Sequence, residues 1–192
     1  MKKSRLEAFS DGVLAIIITI MVLEIKVPEG NSIQDLVPLI PKFITYLLSF
    51  IYVGIYWNNH HHLWQAVEHV NGKILWANLH LLFWLSLFPF TTGWIGEHHL
   101  SATPVAFYGF ILFMASISWF VLAKQIVLEE GESSTISKAF EKDNKTKSSM
   151  LLYATGVVFS FIQPLVSIII YVGVAALWFV PDTRIEKSLK NQ

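Results

Sequence analysis

Near the N-terminus, Arg5, Phe9, Ser10 and Asp11 stand just ahead of a run from Val13 to Leu23 whose only polar member is Thr19. Ionisable side chains at the mouth of an apolar helix are costly to keep there, so they pair with something or serve transport. A second polar group, Trp57, Asn58, His60 and His61, closes another apolar stretch, and Asn78 and His80 open a third. Imidazoles can bind metal, carry protons or exchange hydrogen bonds. The adjacent histidines His60, His61 and His62 argue against metal. Consecutive helical residues point about 100° apart, whereas ligation from one face wants spacings of three or four. With no cysteine in the chain and only Glu68 nearby, no metal site is expected. His62, His69, His98 and His99 read as interfacial groups bonded to water and backbone. No phosphate loop, nucleophilic triad or facing carboxylate pair is present, so no enzyme chemistry and no cofactor are expected.

The elements that hold these residues are membrane helices. Of the 192 residues, 54% are apolar and 15% charged, and the mean hydropathy is +0.52. A water-soluble domain would carry roughly a quarter charged residues. The formal net charge is zero, which offers nucleic acid no bulk attraction. A span needs about 20 mostly apolar residues. The sequence predicts an all-α polytopic membrane protein, a single subunit of six spans near 9–27, 36–57, 74–95, 103–128, 149–163 and 165–180. Ser32 and Asp35 form a capping box ahead of the second span, and Pro38 and Pro41 fall in its first turns. Pro89 predicts a kink in the third. The block from Ser149 to Val180 would reach about 48 Å as one helix, too long for a core of about 30 Å. Gln163-Pro164 in its middle favours two short helices, with a single kinked helix as the alternative. A short surface helix is expected around Ser134 to Glu141.

Charge placement supports six spans. With both termini cytoplasmic, 12 of the 14 Lys and Arg residues fall on the inner side, and only Lys26 and Lys42 on the outer. Five spans would move Arg184, Lys187 and Lys190 outside. The positive-inside rule therefore favours six, in the inner cell membrane.

Gly12, Ile16, Thr19 and Leu23 follow one another at steps of four, three and four and share one helix stripe. Such a stripe packs against a neighbouring helix, or converges on a symmetry axis as a hydrophobic constriction that gates by dewetting. Ser10 and Asp11 lie well off it, in opposite senses. They point towards other helices, at the depth where the Trp57–His62 and Asn78–His80 groups supply partners. This network is expected to fix the first helix against the second and third spans, with Phe9 packed between helices.

The pattern Arg5-x-x-x-Phe9-Ser10-Asp11 followed by an apolar helix resembles the start of the transmembrane protein 175 family, potassium-permeable channels of endolysosomes with shorter prokaryotic homologues. The resemblance implies a pore lined by the first helix of each six-span unit. The main constriction falls on Ile16, a polar discriminating layer on Thr19 and an outer apolar ring on Leu23. It implies that Arg5, Ser10 and Asp11 do structural work. It also implies a homotetramer, since one unit supplies one pore helix. Tyr52-Val53-Gly54 and Tyr171-Val172-Gly173 faintly echo a carbonyl filter but lie inside continuous apolar helices. The expected function is passive permeation of potassium ions. The alternative, a secondary transporter or proton pathway, would need an ionisable group near the membrane midplane, where the spans offer almost none.

Overall fold

The computed structural model describes residues 2–65, 67–98, 100–131, 134, 137, 140 and 143–179. Among these residues all regular structure is helical. The chain forms α1 (Lys3–Leu23), a 3-10 helix (Ile33–Leu39), α2 (Ile40–Gln65), α3 (Gly72–Leu85), α4 (Phe88–Glu97), α5 (Ala102–Glu130), α6 (Asn144–Phe159) and α7 (Pro164–Phe179). Lys3–Leu23, Ile33–Gln65, Gly72–Glu97 and Ala102–Glu130 are each long and apolar enough to cross a membrane. With α3 and α4 as two halves of one crossing, the fold is a multi-pass membrane protein of six spans.

Several boundaries differ from the expected ones, for local reasons. α1 begins at Lys3, so Arg5 to Asp11 is itself helical, with Leu6 and Ser10 buried against the bundle and Arg5 and Phe9 exposed. Pro38 sits inside the 3-10 helix. The α-helix proper starts only at Ile40. The Ser32–Asp35 capping box is formed, with the Ser32 backbone N–H donating to Asp35 Oδ2 at 2.9 Å. α2 continues to Gln65, well past Trp57, and carries all three adjacent histidines in helical register. Pro89 does not kink a continuous helix. The chain breaks at Ser86-Leu87, and Pro89 lies in the first turn of α4, where its missing N–H costs nothing.

The last apolar block is two helices of 16 residues each, about 24 Å long at 1.5 Å per residue. They meet at residues 160–163, where the Gln163 N–H donates to the Phe159 carbonyl at 2.7 Å before Pro164 opens α7. Most of the segment expected to form a surface helix between Ser134 and Glu141 lies outside the described residues, as do Arg184, Lys187 and Lys190.

α5 is the scaffold. It packs against α3, α4, α6 and α7, and 61% of its apolar window is buried, against 28% for α1 and 17% for the Ile33–Gln65 segment. Apolar surface that one chain leaves open on α1 and α2 must therefore be covered by lipid or by other copies. The centre of the bundle is an aromatic knot of Tyr52, Tyr108, Tyr153 and Tyr171, with ring centroids 6.1–6.5 Å apart. The Tyr52 hydroxyl donates to the Tyr171 carbonyl at 2.5 Å, and Tyr171 fits a notch opened by Gly109 and Gly156.

Candidate functional site

α1 buries Leu6, Ser10, Leu14, Ile17 and Met21, at steps of four, four, three and four. This stripe faces α2, α3 and α4. At 100° per residue, Gly12, Ile16, Thr19 and Leu23 lie about 150° away, nearly opposite. Ile16 is 58% exposed and Leu23 76%, and a Cβ added to Gly12 would meet nothing within 4 Å. α1 is thus fastened by one face and presents an uncovered aliphatic face with one hydroxyl on it. The Thr19 hydroxyl donates to the Ile16 carbonyl at 2.9 Å. The proton is thereby occupied, and the oxygen's lone pairs remain outward, able to accept a donor or a cation.

Two sets of contacts fasten the other side. The first is a buried relay. Trp64 Nε1 donates to His60 Nδ1 at 3.1 Å, His60 Nε2 meets Asn78 Oδ1 at 2.8 Å, and Asn78 Nδ2 donates to Ser10 Oγ at 2.9 Å. Ser10 Oγ in turn donates to the Leu6 carbonyl at 2.9 Å. The chain has one consistent direction only if His60 is neutral with its proton on Nε2, which fixes the tautomer by the partners at both ends. Trp64 Nε1 also lies 2.8 Å from Nε2, but that nitrogen cannot accept while it donates to Asn78. The relay ties α2 to α3 and α3 to α1 through side chains that are almost wholly buried.

The second set is a ladder at the rim. Trp57 Nε1 donates to Asp11 Oδ1 at 3.1 Å, His61 Nδ1 meets Glu7 Oε1 at 3.3 Å, and Lys3 Nζ donates to the Val67 carbonyl at 2.9 Å. Lys3, Glu7 and Asp11 are one turn apart on α1, and Trp57 and His61 one turn apart on α2, so the rungs follow the helical repeat. Trp57 stacks on His61 at a 20° interplanar angle. The Gln65 amide and His61 Nε2 lie 2.9 Å apart, which orients the imidazole further.

Not every expected partner joins. The Arg5 side chain is exposed and has no hydrogen-bond or ion-pair partner among the described residues, because, seven residues before Gly12, it falls on the uncovered face of α1, about 140° from the buried stripe. Phe9 is 51% exposed; it projects outward instead of packing between helices of its own subunit. Asn58 is half-buried without a hydrogen bond among the described residues. His80 serves a different junction: Nδ1 meets the Ser118 hydroxyl of α5 at 3.1 Å and Nε2 accepts from Trp84 at 2.9 Å. It lies two residues, or about 200°, beyond Asn78 and so faces away from α1. Lys3, Glu7 and Trp64 complete the network without having been singled out. The spacing of Lys3, Glu7 and Asp11 was the available signal, since three polar residues four apart mark a face that needs partners.

Elsewhere the polar contacts are uncharged or peripheral. Thr92 Oγ1 donates to Ser49 Oγ at 2.6 Å, and Ser49 pairs with the Tyr108 hydroxyl at 3.0 Å, linking α4, α2 and α5. At the far end from the N-terminus, Glu97 pairs with Lys42 at 3.2 Å and Lys26 at 3.6 Å. Among the described buried residues the imidazole and carboxylate groups are His60 and Asp143, both near helix ends. Glu68, His69 and Glu130 lie close enough for shared ligation. Their geometry is already used by Glu130 Oε1, which accepts the Glu68 and His69 backbone N–H groups at 2.8 and 3.0 Å and pins the α2–α3 connection to α5.

Comparison with known proteins matches this arrangement. Residues 5–89, from the motif arginine to the first turn of α4, match the family model described as endosomal/lysosomal potassium channel TMEM175. A potassium channel of Chryseobacterium sp. (strain P1-3) is 57% identical over 191 residues, covering all of both chains. The endosomal/lysosomal proton channel TMEM175 of Bos taurus is 30% identical over 156 residues, 73% of this chain and 33% of that protein. The crystal structure of a lysosomal potassium-selective channel TMEM175 homolog from Chamaesiphon minutus superposes with a TM-score of 0.81 at 28% identity, covering 94% of this chain and 97% of that one. The chain belongs to the TMEM175 family of ion channels.

Proposed function

We propose that this chain is one subunit of a passive, potassium-permeable cation channel in which four copies of α1 surround a central pore. The observation that carries the reading is the division of α1 into two faces. One is locked by the relay and the ladder. The other, with Ile16, Thr19 and Leu23, has no cover within the subunit. Around a fourfold axis, Ile16 forms a hydrophobic constriction, Leu23 a second ring, and Thr19 a ring of oxygens that replaces water on a partly dehydrated cation. No bond is made or broken, so the protein is not an enzyme and needs no cofactor beyond the permeant ion. The six-span reading of the sequence, which assigns 12 of the 14 basic residues to one side, supports the inner cell membrane with both termini cytoplasmic.

The test is ion flux from liposomes holding the purified protein, with potassium, sodium and caesium compared. Potassium flux above protein-free vesicles is expected, and Ile16→Asn should raise it by wetting the constriction. Unchanged flux in that variant would count against Ile16 as the gate. A second reading, proton permeation, is favoured by the names of the animal relatives. A pH-sensitive dye inside the same vesicles separates it. Acidification without potassium flux would favour protons.

A further inference from the structure

A cavity of about 30 Å³ lies among α2, α5, α6 and α7, on the side of α2 away from α1. Its walls are mostly aromatic, among them Tyr56, Trp119, Tyr153 and Trp178, yet it also takes in the hydroxyls of Thr146 and Ser149. Two of the lining polar groups lack a hydrogen-bond partner among the described residues: Trp119 Nε1, a donor, and Thr146 Oγ1, a donor and acceptor. Trp119 is 4% exposed and Thr146 1%. Burying such a group unpaired costs about 1–3 kcal/mol. Two of them beside one void is not an arrangement that close packing leaves by accident.

Ser149 provides a contrast. Its hydroxyl is fully engaged, donating to the Lys145 carbonyl at 2.8 Å and accepting from Trp178 Nε1 at 2.8 Å. The cavity therefore divides into a satisfied wall on α6 and α7 and an unsatisfied pair on α5 and α6. A void needs on the order of 10–15 Å³ to hold one water, and a water needs two to four polar partners. This one has room for about two, in a lining that includes Trp119, whose indole N–H can donate, and Thr146, whose hydroxyl can both give and receive.

We propose that the cavity is a buried water-binding site, occupied by about two molecules that bridge Trp119 Nε1 on α5 to Thr146 Oγ1 on α6. The bridge joins the first turn of α6 to the scaffold helix. The ligand class is a small, neutral hydrogen-bonding molecule. A cation is disfavoured by the lack of a carboxylate in the lining.

Thr146→Val tests this by the sign of its effect, because valine keeps the shape and removes only the hydroxyl. With water present, the variant loses a hydrogen bond and strands the bridge, and the unfolding midpoint of the detergent-solubilised protein should fall by a few degrees. Thr146→Ser, which keeps the hydroxyl, should fall less. If the cavity is empty, valine removes an unpaired buried hydroxyl and the midpoint should rise or stay level, which overturns the proposal. A crystal structure at a resolution that reveals waters gives the second measurement. Density within hydrogen-bond distance of both atoms supports the bridge; an empty cavity refutes it even if Thr146→Val proves too unstable to measure.

Discussion

Asn78 Nδ2 donates to Ser10 Oγ at 2.9 Å, deep between α3 and α1. Because the other end of the same amide meets His60 Nε2, one side chain of α3 determines how two other helices sit. Asn78→Ala should leave the His60 Nε2–H without its acceptor in a buried setting, at about 1–3 kcal/mol, while Ser10 Oγ keeps only its bond to the Leu6 carbonyl. The expected outcome is a clear drop in the thermal midpoint, with Asn78→Asp failing to restore it because a carboxylate cannot donate to Ser10. A wild-type midpoint in Asn78→Ala would show that the relay does not hold α1.

The rim ladder makes a separate prediction. Trp57→Phe deletes the N–H that reaches Asp11, and Asp11→Ala deletes the acceptor. Each should reduce the fraction of the proposed tetramer seen by light scattering after size exclusion. The double variant should be hardly worse than the poorer single, since the two residues share one interaction. Strictly additive losses would mean that Asp11 and Trp57 act on different partners.

Much of this was legible in advance, and most of the misses have a common cause. The two faces of α1 followed from spacing alone, because a helix periodicity of 3.6 residues assigns Ser10 and Ile16 to different sides whatever surrounds them. That Ser10 and Asp11 would face the histidines, asparagines and tryptophans of the second and third spans followed from depth, since the motif and the polar ends of neighbouring spans share a level. What spacing could not give was the azimuth of the partner helices. Asn78 and His80 sit two residues apart, and only the packing of α3 against both α1 and α5 decides which of them meets Ser10. Phe9 is the mirror case: its apolar character suggested burial, but its position lies off the stripe that faces the bundle. The break at Ser86-Leu87 was hidden for another reason. Proline marks a place where helical hydrogen bonding is interrupted, but whether the chain kinks or restarts depends on how α4 docks against α2.

Packing around Tyr171 gives a prediction with an internal control. A Cβ at Gly109 would run into the Tyr171 hydroxyl and one at Gly156 into its ring, whereas one at Gly173 would meet nothing within 4 Å. Gly109→Ala and Gly156→Ala should therefore lower stability by about 1–3 kcal/mol through overpacking. Gly173→Ala should raise it, by about 0.5–1 kcal/mol, because alanine is the better helix former. Equal effects at all three positions, read from thermal unfolding, would mean that the notch for Tyr171 does not constrain the helices.

Selectivity makes the sharpest demand on Thr19. In the proposed pore its hydroxyl proton is held by the Ile16 carbonyl, so the oxygen faces the conduit as an acceptor at no further orienting cost. Thr19→Val has nearly the same volume and leaves the constriction diameter unchanged, but it removes the oxygen. A cation would then pass that level with its hydration shell uncompensated. The stronger the ion holds its water, the greater the penalty, so the change should depend on the ion and not merely on pore width. Potassium flux is expected to fall and the potassium-to-sodium ratio of liposome flux to shift towards unity, while Thr19→Ser retains both. If Thr19→Val keeps the wild-type ratio, discrimination lies in another layer and Thr19 is only a helix residue with a bond to its own backbone.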